Sequence, residues 1–86
     1  MENKDYAYLV VESFRPAAVT RKFGVHIRPV EGQDPYLVSM FVECNKELSY
    51  SYPIGTKFRI KGKITAKEGG TPFIYSHYSW PYEVLK

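Results

Sequence analysis

Apolar and polar side chains alternate with a period of two along most of this chain, the pattern of half-buried strands. In the first run, residues 6–14, Ala7, Leu9 and Val11 share one face, while Tyr6, Tyr8, Val10, Glu12 and Phe14 share the other. "RPAAVTR" then reads as a loop. In the second run, residues 22–30, Phe23, Val25 and Ile27 oppose Lys22, His26 and Arg28. Pro29 has no N–H to donate, so this strand ends there or lies at an edge. "EGQDP" predicts a turn. The third run, residues 36–43, is apolar on both faces and predicts a central or covered strand.

The joint 44–55 is less regular and has room for one helical turn around Asn45–Leu48. The fourth run, residues 56–67, alternates most cleanly. Phe58, Ile60, Ile64 and Ala66 point one way; Lys57, Arg59, Lys61, Lys63 and Lys67 point the other. "EGGT" supplies the glycines of a tight hairpin turn. The fifth run, residues 72–80, pairs back on the fourth and is broken by Pro81, and "YEVL" forms a short closing strand.

Five strands, at most one helical turn and frequent turn residues predict an all-β fold. The expectation is a small five-stranded antiparallel barrel, OB-like rather than SH3-like, because the joint between runs three and four falls where an OB-fold carries its helix. The 86 residues suit a single domain spanning 1–86.

Charge sharpens the picture. Residues 1–56 hold six Lys/Arg and seven Asp/Glu, whereas residues 57–86 hold six Lys/Arg and two Asp/Glu. The basic excess is therefore local, and a local patch steers ligands. Lys57, Arg59, Lys61 and Lys63 form a row with no acidic residue between positions 57 and 67. Such a row suits a phosphate backbone; it also suits a solvated strand face.

"YSHYSWPY", residues 75–82, places rings beside that row. Alternation groups Phe73, Tyr75, His77 and Ser79 against Ile74, Ser76, Tyr78 and Trp80. Neither set is purely apolar, so some rings face solvent. Trp80 is expected to lie inside, whereas Tyr75 and His77 are expected beside the lysines. Rings next to cations on a small barrel are the equipment of single-strand binders. The candidate nucleic-acid-binding residues are thus Lys57, Arg59, Lys61, Lys63, Tyr75, His77, Tyr78 and Trp80. Lys22 and Arg28, with His26, Arg15 and Arg21 nearby, form a second patch that joins the first if both strands share a face.

Catalysis has little support. Cys44 is the only cysteine and has no accompanying base in a recognisable pattern. One cysteine and two histidines at unrelated spacings predict no metal site, and no cofactor motif is present. The expected role is a non-catalytic binding module for single-stranded nucleic acid. The alternative is a protein-interaction module or a self-associating subunit. The lone cysteine, the charged N-terminal stretch and the lack of a long apolar run lead us to expect a cytoplasmic protein without membrane contact.

Overall fold

The computed structural model describes residues 6–15, 25–66 and 70–85. Its elements are β1 (Ala7–Phe14), β2 (His26–Pro29), β3 (Val42–Glu43), α1 (Glu47–Tyr50), β4 (Lys57–Thr65), β5 (Phe73–Tyr75) and β6 (Glu83–Leu85). The strands make one sheet in the order β2-β1-β4-β5-β3, with β6 pairing β4 off this path.

The protein is all-β with one short helix, but the sheet differs from the expected closed five-stranded antiparallel barrel. Among the described residues it has six strands, the sixth in the "YEVL" stretch expected to close the sheet, and its end strands β2 and β3 do not pair. The β3–β5 pairing is parallel, with Val42 opposite Ile74. The ends nevertheless face each other across a cleft of about 440 Å³ bordered by His26 and Ile27 on one side and Val42 and Glu43 on the other.

Alternation sets the core. Leu9 and Val11 of β1, Ile27 of β2, Val42 of β3, Phe58 and Ile60 of β4 and Ile74 of β5 turn inward around Leu48 of α1. Tyr52 and Tyr82 meet the Phe58 ring edge-on, with centroids 5.1 and 5.8 Å away. Asn45 Oδ1 accepts the Glu47 N–H at 2.9 Å, so an Asx turn leads into α1. The helix begins two residues beyond the expected Asn45.

The strand β4 switches partners along its length. Its first part pairs β1 on one edge, from Lys57 opposite Glu12 to Gly62 opposite Ala7. On the other edge it pairs first β6, with Phe58 opposite Val84, and then β5, with Lys63 opposite Tyr75. Gly62 marks the changeover. A Cβ there would lie 3.0 Å from the Tyr75 carbonyl oxygen and 3.1 Å from Ile74 Cγ2. Glycine is what lets the two backbones approach.

Runs three and five are shorter as strands than the sequence predicts. Of residues 36–43, only Val42–Glu43 is strand, at the end of the sheet path rather than its centre. The preceding residues turn, with Tyr36 N–H donating to Gln33 O at 2.7 Å and Met40 N–H to Leu37 O at 3.0 Å. That turning leaves Phe41 60% exposed, so its apolar character does not signify burial. The Gln33 amide also stands in for a backbone peptide. Its Nε2 donates to Val10 O at 2.7 Å, and its Oε1 accepts the Val10 N–H at 2.8 Å. Run five is strand only over Phe73–Tyr75. Among the described residues, no helix is long and apolar enough to cross a membrane.

Candidate nucleic-acid interface

The β4 cations project from the outer face, alternating with buried Phe58, Ile60 and Gly62. Their surroundings divide them into two pairs. Glu12 of β1 lies opposite Lys57, with Oε1 3.9 Å from Nζ. Glu83 of β6 lies opposite Arg59 and accepts from its Nε at 3.1 Å. The stretch 57–67 is free of acids in sequence, yet cross-strand neighbours bring carboxylates to half of the row. The one-signed face expected from the sequence is therefore mixed in sign at its β6 end.

Lys61 and Lys63 have different company. Lys61 Nζ lies 5.5 Å from the Trp80 ring centroid, and Lys63 Nζ lies 5.1 Å from that of Tyr6. Among the described residues neither makes an ion pair with a carboxylate. A ring attracts a cation by about 0.5–1 kcal/mol at an exposed site but leaves the charge uncancelled. These two lysines are thus held against rings, and no described carboxylate cancels their charge.

The rings are assembled from three segments. Tyr6 precedes β1, Tyr75 ends β5, and His77, Tyr78 and Trp80 follow in a turn. Trp80 packs edge-on against Tyr6 at 4.7 Å and lies 6.3 Å from Tyr75. His77 and Tyr78 stack at 4.7 Å with an interplanar angle of 23°. Contrary to expectation, Trp80 is only half-buried and belongs to this outer cluster rather than to the core. The cause is local. The Trp80 N–H donates to His77 O at 3.1 Å, closing a turn that ends the strand alternation. His77 Nδ1 accepts the Ser79 N–H at 3.1 Å and tightens the same turn. Tyr75, opposite Lys63, and His77, 5.7 Å from the Trp80 ring, are half-buried. Tyr78 is 70% exposed, and Tyr8, opposite Lys61, is 68% exposed.

The second patch is described only in part. Lys22 and Arg21 lie outside the described residues. Arg28 does share the outer face, because β2, β1 and β4 are consecutive neighbours. However, its Nε donates to Glu12 Oε2 at 2.9 Å, and its guanidinium lies 4.1 Å from the Phe14 ring centroid. Glu12 therefore sits between Arg28 and Lys57 and offsets both. His26 and Arg15 are exposed.

Sequence reasoning did not assign Tyr6, Tyr8, Phe41, Glu43 or Phe73 to this face. Tyr6 and Tyr8 already had the right parity in the first run, and only the β1–β4 pairing was missing. Phe41 lies near Phe73, with centroids 6.3 Å apart, and extends the ringed face across β5 to β3. No period-two pattern marked it, because its run is apolar on both sides.

The Cys44 thiol is biased toward its protonated form. Burial, and secondarily the charge of Glu43, push its thiol up from 9.0 to about 12. The Tyr82 hydroxyl is also raised, first by its 3.0 Å hydrogen bond with Tyr52, then by burial and by Glu47. Among the described residues, no three His, Cys, Asp or Glu side chains come together as metal ligands. Comparison of the chain with known protein families, with curated proteins and with solved structures finds no match.

Proposed function

We propose that this chain is a partly open, OB-like barrel that binds single-stranded nucleic acid on the outer face of β1, β4 and β5. The opposed ends β2 and β3, with α1 in the joint between β3 and β4, support the fold reading. The binding reading is carried by one observation: among the described residues, Lys61 and Lys63 rest on rings rather than on carboxylates. Phosphates would meet this uncancelled pair, and exposed Tyr8 and Tyr78 would stack on bases. Catalysis plays no part in this role.

The test is fluorescence anisotropy of a labelled mixed-sequence single strand at low salt. The protein should bind the strand, more weakly as salt is added, and Lys61→Glu/Lys63→Glu should cost at least about tenfold in affinity at fixed salt. Unchanged affinity in the double variant would remove the lysine pair from the role.

A second reading has its own observation. Leu37 and Phe41 are exposed around a groove of about 480 Å³ that also borders Met40, Pro72 and Phe73. Among the described residues, that groove has no lysine or arginine on its walls, which suits a protein partner. Failure of strand binding at low salt would make this the leading reading.

A further inference from the structure

Beside the lysine pair, the same ringed face reaches an acidic residue. Glu43 lies opposite Tyr75 across the β3–β5 pairing, with its neighbour Val42 turned into the core. A carboxylate on a phosphate path would repel the strand, so its position calls for a different contact. Glu43 borders a pocket of about 440 Å³ together with Lys46, Tyr75, Ser76 and Tyr78.

The hydrogen-bonding capacity of this pocket is narrow. Asn45, also on its wall, is already engaged: Nδ2 donates to Tyr78 O at 3.1 Å, and Oδ1 accepts the Glu47 N–H. These bonds fix the Tyr78 turn to the start of α1. Ser76 is only 5% exposed and offers little surface. Among the described residues, Glu43 has no cationic partner. What the pocket holds out to a ligand is a carboxylate, an ammonium and two tyrosine rings.

We infer that this pocket takes one base of the bound strand and prefers guanine, with Glu43 accepting its two adjacent donors. The inference rests on the single-strand reading above. Guanine N1–H and N2–H₂ lie side by side and match both carboxylate oxygens. Adenine and cytosine offer one exocyclic amine beside a ring acceptor that faces the carboxylate unfavourably. Thymine sets its single N–H between two carbonyls. Tyr75 and Tyr78 supply ring surface for the base, and Lys46 supplies charge for its phosphate. An arginine side chain of a peptide would also match Glu43. Lys46 in the same pocket and Lys61 and Lys63 on the same ringed face disfavour that cation.

The experiment measures anisotropy of three labelled strands at one low salt concentration: twelve thymidines, the same strand with three separated guanosines, and the same with inosines. The guanosine strand should bind at least about fivefold tighter than the thymidine strand. The inosine strand, which lacks the N2 amine, should fall between them. Glu43→Gln should erase the guanine preference while leaving thymidine-strand affinity equal or higher, and its melting temperature checks that the fold is intact. Equal binding of all three strands by the unaltered protein would overturn the pocket while strand binding stood. Binding of none would overturn both readings. Displacement of the guanosine strand by a short arginine-containing peptide, but not by its lysine counterpart, would assign Glu43 to a protein ligand instead.

Discussion

Single side chains in this molecule act mainly by what they leave satisfied or uncharged. Ser13 is 1% exposed and holds the loop before β4 to β1: its Oγ donates to Pro53 O at 3.3 Å and accepts the Gly55 N–H at 3.1 Å. Gly55 itself sits at φ 96°, the left-handed corner of a turn closed by Thr56 N–H donating to Pro53 O at 3.2 Å. Ser13→Ala removes the side-chain bonds and should cost about 1–3 kcal/mol, read from urea denaturation. Cys44 gives a prediction in pH. Its thiol moves from 9.0 in the open chain to about 12 in the fold, so the folded state favours the protonated form. The resulting stabilisation is complete below pH about 9 and fades as pH rises through about 9 to 12. The raised Tyr82 hydroxyl acts in the same direction above about pH 10. Urea midpoints should therefore drop between pH 8 and 10.5. At pH 8, alkylation of Cys44 should run at least about tenfold slower in the folded protein than in the denatured one, because burial disfavours the thiolate.

At the scale of elements, β4 carries both the core and the candidate site, and Gly62 is its weak point for substitution. Gly62→Ala sets a Cβ against the Tyr75 carbonyl, a fixed backbone group, and should cost about 1–3 kcal/mol with a lowered melting temperature. The inward set Leu9, Val11, Ile27, Phe58 and Ile60 was legible from alternation, because a strand with one buried face cannot hide its parity. The outward parity of Lys57, Arg59, Lys61 and Lys63 was legible for the same reason. What those cations meet was not, since Glu12 and Glu83 arrive from strands 45 and 24 positions away from Lys57 and Arg59, and register sets those meetings. Trp80 escaped parity because a turn stabilised by His77 and Ser79 intervenes. Phe41 escaped because its run is apolar on both faces and carries no parity, and its exposure follows from the turn at Leu37–Met40 before it.

For the whole molecule, net charge says less than where charge is cancelled. The four β4 cations span one face, yet only the Lys61–Lys63 half lacks a described carboxylate partner. Replacing Lys61 and Lys63 with Gln should reduce the salt slope of single-strand binding by about 1.4, near 0.7 for each phosphate that is no longer neutralised. The Lys57→Gln/Arg59→Gln pair should change it much less. Log-affinity against log-salt plots of the two variants check this, and equal slopes would contradict the division of the row. The double-sided pairing of β4 carries a consequence for how the sheet comes apart. The stretch Lys57–Arg59 is zipped to β1 on one edge and to β6 on the other, whereas among the described residues β2 and β3 are each zipped on one edge only. Freeing β2 or β3 breaks one ladder; freeing the centre of β4 breaks two. Amide deuterium uptake should therefore begin at the two lips of the cleft and reach Phe58 last, so that isotope labelling times the opening of the sheet from its unpaired rim inward.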